Sequence, residues 1–293
     1  MNLYRSANAQ KQILDTYDQL LALWNVDVEE KDIATAYGTT HAIVCGKRGN
    51  PPLILFHGVG DDSALMWIYN AEALAQRFHV HAIDTIGGPG KSRPNQNYNK
   101  GFNTVQWIDE VLAGLALDRQ QVHVAGVSNG AYLAQLYGMR RPDKVTSIVC
   151  MAGSVPVGES SPMKAMMKVF LPEALFPTDR NVKKLICKLA GKNSAVFTEN
   201  RTIMEHYRWL LKGFNNMAMR HHIIEHFNDA QVASIRGKAL YLAGEGDPFM
   251  VLGGKEALIR NKMNARFFPD VGHAINHEIA AEANRLIIEF FAA

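Results

Sequence analysis

Cysteine is scarce in this chain of 293 residues, and its placement excludes two ways of holding a fold together. The three cysteines, Cys45, Cys150 and Cys187, are far apart, odd in number and without C-x-x-C spacing. This pattern argues against a disulfide framework and against a thiolate zinc site. We expect the three residues to be small hydrophobic side chains in a reducing compartment.

Long apolar runs and dense charge of one sign are also missing. No segment reaches the roughly 18 apolar residues that a membrane span needs, and the first residues lack the apolar core of a signal peptide. The net charge is +3, without a dense run of Lys and Arg, which gives little reason to expect a nucleic acid as partner. We therefore expect a cytoplasmic protein with no nucleic-acid partner and no stable membrane insertion.

The overall composition, with 47% hydrophobic and 20% charged residues, is typical of a globular enzyme with a large core. Short apolar runs alternate with helical patterns, which predicts βαβ units and a mostly parallel, doubly wound sheet. Runs without polar interruption indicate strands that are buried on both faces. The predicted strands are Val26–Ala34, Thr39–Val44, Leu53–Phe56, Val80–Ile83, Val122–Val127, Val145–Met151, Ala239–Ala243 and Ala265–Phe268.

A helical insert interrupts this alternation after the sixth predicted strand. Residues 154–228 are helical in character and rich in Met, Leu and Phe, and they separate a core formed by residues 1–153 and 229–293. The apolar start of the insert either packs on the sheet or lines a pocket for an apolar substrate. On the second interpretation, Met163, Met167 and Phe170 are candidate substrate-binding residues. A helix lying on a membrane surface is a further alternative, but its basic flank is thin.

Ser128 is the candidate nucleophile because it stands in a G-x-S-x-G sequence, from Gly126 to Gly130, between a predicted strand and a predicted helix. In that context the serine occupies a sharp, strained turn that lifts its hydroxyl above the sheet edge. The start of the following helix provides positive potential for a developing anion.

A serine hydroxyl needs a base, and the base needs an acid that orients it. His273 follows the last predicted strand in the required place, and His277 is its nearby rival. Asp247 follows the strand before it, with Glu245 as the alternative acid. The chain order Ser128, Asp247, His273 is typical of serine hydrolases whose nucleophile lies on a turn between a strand and a helix.

An oxyanion hole completes such a site with two backbone N–H donors. We predict one donor at Asn129 and the other at Val59, in the glycine-rich loop that begins with His57 and Gly58. His57 is interpreted either as a second base or as a brace for this loop. His57 and Gly58 are also candidate substrate-binding residues.

Two further patterns have competing interpretations. Asp84 ends a predicted strand at the same sheet edge, where it is either a second acid or a carboxylate that stabilises the turn. His222 and His226 lie four residues apart on a predicted helix, a spacing that places two metal ligands on one face. Because the sequence shows no third ligand beside them, we expect a solvated helix face and no metal.

The chain resembles the α/β-hydrolase superfamily over nearly its full length. His57 to Trp67 is similar to the H-G-x-x-x-S-x-x-x-W run in a branch of capped bacterial carboxylesterases of the naproxen-esterase type. The resemblance implies a helical cap at about residues 154–228 and ester hydrolysis without a cofactor. Asn129 departs from the Met, Leu or Gln of many relatives, which puts the polarity of the pocket in doubt.

The function predicted from these residues is hydrolysis of small to medium apolar carboxylic esters through Ser128, His273 and Asp247. The same triad and cap also suit hydrolases of carbon–carbon bonds, amidases and lactonases. A different class, a weakly catalytic ligand receptor with the same fold, stays open as well. We expect a small-molecule ester as the partner, with a homodimer as an open hypothesis.

Overall fold

One β-sheet forms the centre of the molecule. The computed structural model describes residues 2–157, 176 and 178–293. In chain order the strands are β1 (Val28–Thr35), β2 (Gly38–Cys45), β3 (Pro52–Phe56), β4 (His79–Ile83), β5 (Arg93–Pro94), β6 (Val122–Val127), β7 (Val145–Met151), β8 (Ala239–Gly244) and β9 (Asn264–Phe268).

The strand order explains where loops from distant parts of the chain meet. The sheet runs β1-β2-β4-β3-β6-β7-β8-β9, with the short β5 paired to β2. Neighbouring strands from β4 to β9 along this path are parallel, whereas β2 pairs antiparallel with β1, β4 and β5. The predicted mostly parallel sheet is confirmed. Because parallel strands end at the same edge, the loops after β3, β6, β8 and β9 share one side of the sheet.

Helices connect the strands in the described part of the chain. They are α1 (Ala7–Leu21), α2 (Ser63–Met66), α3 (Ala71–Ala75), α4 (Thr104–Gly114), α5 (Asn129–Arg140), α6 (Asp179–Leu189), α7 (Ala195–Thr198), α8 (Arg201–Gly213), α9 (Asp229–Arg236), α10 (Lys255–Arg260), α11 (Ile275–Glu278) and α12 (Ala280–Ala292). A 3₁₀ helix spans Asn216–Met219 and a π-helical turn spans Met250–Gly254.

Two apolar clusters, one on each side of the sheet, form the core. One cluster joins α1, α2, α3 and α12 to the sheet and also includes apolar residues of α6 and α8. The other joins α4, α5, α9 and α10 to the opposite face. Helices on both faces explain why strands such as β8, buried at every residue, consist of uninterrupted apolar runs. No helix in the described ranges is both long and apolar enough to cross a membrane.

Two local predictions of helix were wrong. The apolar pattern from Trp67 to Arg77 predicts one helix, but this stretch contains only the short helix α3, with turns on both sides. Residues 222–228 are not helical, so His222 and His226 do not share a helix face. The pairing of β5 with β2 was not predicted, since two residues are too few for a periodic signal. Met163, Met167 and Phe170 lie outside the described residues.

Candidate active site

Ser128 occupies a strained turn between β6 and α5. Its φ of 55° and ψ of −114° lie in a region that non-glycine residues rarely adopt. The turn is held by backbone hydrogen bonds, in which Ser128 N–H donates to Met151 O at 2.9 Å and Ala131 N–H donates to Ser128 O at 3.0 Å. This geometry is the strand-to-helix elbow that the G-x-S-x-G pattern predicts.

Glycines at both ends of the pattern allow the elbow to form. A Cβ atom added to Gly126 would lie 2.7 Å from Ala131 N, inside the first turn of α5. A Cβ atom added to Gly130 would lie 2.6 Å from the carbonyl carbon of Phe56, the last residue of β3. The start of α5 therefore packs backbone against backbone, and only glycine leaves room for it.

His273 and Asp247 meet at the same edge of the sheet. His273 Nδ1 lies 2.8 Å from Asp247 Oδ2, while Asp247 Oδ1 accepts a 2.8 Å hydrogen bond from Phe249 N–H. The Asp247 side chain is fully buried and that of His273 is 14% exposed. A carboxylate bound to Nδ1 leaves Nε2 as the ring nitrogen that can accept a proton.

The two alternatives to this pair are engaged elsewhere. His277 lies in α11, where its Nε2 is 3.0 Å from Leu65 O, and burial lowers its pKa to about 4. Glu245 is exposed and accepts a 2.6 Å hydrogen bond from Lys255 Nζ. The structure therefore joins His273 to Asp247 and brings neither His277 nor Glu245 into the pair.

The proposed nucleophile and the proposed base are not hydrogen-bonded to each other. Among the described residues, Ser128 Oγ forms no hydrogen bond with His273, whose side chain is bonded to Asp247. Catalytic hydrogen bonds are commonly long in the absence of substrate and shorten in the reacting complex. The hydrogen-bonded pair of His273 and Asp247 is therefore formed, and a hydrogen bond from Ser128 to His273 stays a prediction.

The glycine-rich loop after β3 lies directly beside Ser128. A Cβ atom added to Gly58 would lie 3.5 Å from Ser128 Cβ, and the neighbouring Val59 is 36% exposed. His57 is fully buried: its Nε2 accepts from Thr85 N–H at 2.9 Å, so its Nδ1–H donates to Gly58 O at 2.8 Å. With both ring nitrogens used by the backbone, His57 is placed to brace this loop, and direct contact of its ring with substrate stays a prediction.

Asn129 combines a backbone at the start of α5 with a buried polar side chain. Asn129 is 6% exposed, and its Nδ2 has no hydrogen-bond partner in the described ranges. A backbone N–H at the first position of a helix has no partner within the helix, so the N–H of Asn129 is available to an acceptor outside α5. The roles of Asn129 and Val59 as oxyanion donors stay predictions.

Asp84 is held by the scaffold on every side. Its carboxylate accepts from Tyr17 Oη–H at 3.0 Å, Ser63 N–H at 3.0 Å and Lys91 N–H at 2.8 Å. Burial acts to raise the pKa of Asp84, but hydrogen bonding and charge from His41, 3.1 Å away, outweigh burial and hold the pKa below its usual range. These contacts favour the turn-stabilising role over that of a second acid.

The histidines considered as metal ligands do not form a metal site in the described ranges, where no group of three or more His, Cys, Asp or Glu side chains could hold an ion. His222 Nε2 is 2.7 Å from Ile86 O, and its ring packs against Tyr98, Phe102 and Trp107. Burial lowers the pKa of His222 to about 4. His226 is exposed to solvent.

Asp62 holds the end of the glycine-rich loop, although no sequence motif identified it as a functional residue. Its Oδ1 accepts a 3.1 Å hydrogen bond from Leu65 N–H and thereby caps α2. The available signal was an aspartate three residues before Leu65 at the start of an apolar run, which is the pattern of a helix N-cap.

Comparison with known proteins identifies the fold. A family model described as alpha/beta hydrolase fold matches residues 51–184. Carboxylesterase YbfK of Bacillus subtilis is 34% identical over 46% of this chain and 45% of its own length, and the uncharacterized carboxylesterase nap of the same organism is 30% identical over 47% of this chain and 45% of its own length. The chain thus aligns with less than half the length of these curated relatives.

A solved structure provides a comparison that covers nearly the whole of this chain. The crystal structure of naproxen esterase (carboxylesterase NP) from Bacillus subtilis superimposes with a TM-score of 0.83, covering 98% of this chain and 99% of that one at 22% identity. The chain therefore has the α/β-hydrolase fold, and the resemblance to Bacillus carboxylesterases that its motifs indicated is confirmed.

Proposed function

We propose that this α/β-hydrolase-fold protein is a serine esterase that cleaves small to medium apolar carboxylic esters. The observation that carries the proposal is the 2.8 Å bond between His273 Nδ1 and buried Asp247, at the sheet edge where Ser128 forms its strained elbow. The similarity to Bacillus carboxylesterases supports the reaction class.

In the proposed acylation step, Ser128 Oγ attacks the ester carbonyl carbon while His273 Nε2 takes the hydroxyl proton. The carbonyl oxygen becomes an oxyanion, and Asp247 stabilises the imidazolium that forms. When the bond from carbon to the alkoxy oxygen breaks, His273 returns its proton to the leaving alcohol. Water then repeats the sequence on the acyl-enzyme, which releases the acid and restores Ser128.

The proposed oxyanion hole consists of the backbone N–H groups of Asn129 and Val59. Each such donor contributes about 3 kcal/mol to transition-state stabilisation in comparable sites. The proximity of Gly58 to Ser128 and the bracing of the loop by His57 support this assignment.

We further propose that residues 154–228 are a cap on a core of residues 1–153 and 229–293, with Met163, Met167, Phe170, His57 and Gly58 at the substrate pocket. Helices α6, α7 and α8 belong to this segment. No cofactor takes part in the proposed reaction. Cytoplasmic location and a homodimer stay predictions.

The test is a substrate panel with a matched serine control. The wild-type protein should hydrolyse p-nitrophenyl acetate or butyrate, and Ser128→Ala should abolish turnover while staying folded. Ser234→Ala removes an exposed hydroxyl that bonds only within α9, so it should keep wild-type turnover.

The same panel separates the alternatives. Cleavage of dienoic ring-fission ketones, amides or lactones in preference to esters would replace the esterase assignment by one of those hydrolase classes. Wild-type-like ester turnover by Ser128→Ala would refute the proposed nucleophile. A folded wild-type protein that turns over none of these substrates would favour the receptor hypothesis.

A further inference from the structure

A second buried pair of aspartate and histidine lies outside the proposed triad, at the far end of the glycine-rich loop. His206 Nε2 is 2.7 Å from Asp62 Oδ2, and both side chains are completely buried. The two residues are 144 positions apart in the chain, because His206 belongs to α8 and Asp62 ends the loop that starts at His57. The pair therefore joins the segment proposed as the cap to the loop proposed to hold the oxyanion.

The hydrogen bonds of this pair continue into the N-terminal helix. The Thr16 hydroxyl donates to Gln12 O at 2.7 Å, so its oxygen accepts from His206 Nδ1–H at 2.8 Å. The other ring nitrogen, Nε2, shares a hydrogen bond of 2.7 Å with Asp62 Oδ2. Every polar atom of the His206 ring is thus used to hold Asp62 against the scaffold.

Asp62 forms hydrogen bonds with residues on both sides of it in the chain, so its position determines the path of the loop. Its Oδ1 fixes the start of α2 through Leu65 N–H, and its own backbone N–H donates to Asp61 Oδ1 at 2.9 Å. Burial and the neighbouring Asp62 carboxylate raise the pKa of Asp61, which favours the protonated form of Asp61.

The loop has a second contact with the region that follows α8. Gly60 has a φ of 72°, and a Cβ atom added to it would lie 2.9 Å from Asn216 Oδ1, in the 3₁₀ helix after α8. The loop is therefore held by close packing at Gly60 and by hydrogen bonds at Asp62, while Gly58 lies against Ser128. Its predicted donor, Val59, sits between these fixed points.

We propose that His206 is a positioning residue for the oxyanion hole: by holding Asp62 it fixes the backbone from Gly58 to Gly60 beside Ser128. This inference rests on the proposed function. Loss of the histidine would leave Asp62 Oδ2 buried without a donor, and the loop would move to reach solvent or another partner. Oxyanion donors are effective only when they are already in place as charge develops, so the effect falls on the transition state.

The test compares His206→Leu with His206→Gln, because the glutamine amide can still donate to Asp62. Rates with p-nitrophenyl butyrate are expressed per active site, counted by complete titration with a fluorophosphonate. For His206→Leu we expect kcat to fall by about 10- to 100-fold, as for a misplacement near 1 Å, with KM changed less than about threefold. Affinity for an arylboronic acid, which mimics the tetrahedral intermediate, should fall with kcat/KM. His206→Gln should recover most of both losses.

Two more variants keep the result decisive. Asp62→Ser retains a hydroxyl oxygen that can cap α2 but has no second polar atom to bind His206, so it should reproduce the loss and replaces His206→Leu if that variant does not fold. His123→Leu removes a half-buried histidine of β6 whose Nδ1 has no partner in the described ranges, and it should keep wild-type kcat.

The outcomes distinguish failure of the positioning role from failure of the proposed function. Unchanged kcat and boronate affinity per titrated site in His206→Leu or Asp62→Ser would overturn the positioning role, even if the melting temperature falls. Equal losses in His206→Leu and His206→Gln would also overturn it, since the retained donor would then have no effect. A wild-type protein that neither hydrolyses esters nor reacts with the fluorophosphonate would overturn the proposed function together with this inference.

Discussion

Gly130→Ala tests the elbow that holds the proposed nucleophile. The added methyl group would lie 2.6 Å from the carbonyl carbon of Phe56 and 2.9 Å from His57 O. Carbon atoms that do not share a bond pack best at about 3.5–4.0 Å, so either α5 or the end of β3 must move by about 1 Å. Both neighbours are backbone atoms of buried segments, which cannot turn aside as a flexible side chain would.

The displacement should reduce both stability and rate. Overpacking of this kind costs about 1–3 kcal/mol in the free energy of unfolding. The methyl group also pushes against the loop that starts at His57, and a shift of about 1 Å in a catalytic geometry costs about 100-fold in rate. Gly130→Ala should therefore be less stable and at least about tenfold slower in kcat/KM.

Urea unfolding and p-nitrophenyl butyrate kinetics measure these two effects. The matched control is Gly237→Ala, because an added Cβ there meets nothing within 4 Å and Gly237 already has helical φ and ψ of −76° and −15°. That control should keep its activity and be equally or up to about 1 kcal/mol more stable. Wild-type stability and activity in Gly130→Ala would refute the packing of the elbow described above.

Two further predictions concern the acid and the rival histidine. Asp247→Asn should lower kcat by about 10⁴-fold while Glu245→Gln changes it less than about twofold, and equal effects on ester kinetics would remove Asp247 from the proposed triad. Burial lowers the pKa of His277 to about 4, so the unfolded chain binds a proton there from about pH 6.5 downward and the folded chain does not. The free energy of unfolding should thus fall between about pH 6.5 and 4, by up to about 1.4 kcal/mol per pH unit from this group. His277→Gln should flatten that slope in urea titrations and keep esterase activity, and an unchanged slope would contradict the buried neutral state.

The residues that follow strands were predictable from the sequence. Ser128 comes directly after an apolar run, and Asp247 and His273 lie a few residues beyond theirs, in loops that parallel strands carry to one sheet edge. The same rule led to the prediction of Asn129, the first residue of α5, and of Val59, in the loop after β3, and their roles as donors stay predictions. The choice between His273 and His277 needed the fold, because only the packing of α11 shows which ring faces Asp247.

Buried polar pairs were not predictable, because periodicity detects apolar faces and not contacts between distant residues. Asp62 and His206 resemble surface residues in the sequence, and only the packing of α8 beside α1 and α2 joins them. The helix predicted around His222 is absent for a related reason. Its ring fits among Tyr98, Phe102 and Trp107, and that tertiary packing holds the chain in a non-helical path.

The central claim, that Ser128 is an activated nucleophile, is tested most directly by covalent labelling. The folded wild-type protein is incubated with a fluorophosphonate, and the adduct is located by peptide mass spectrometry. One adduct per chain is predicted, on Ser128, with no adduct in Ser128→Ala and much slower labelling in Asp247→Asn. A folded wild-type protein that gives no adduct, or gives one on a different residue, would contradict the claim.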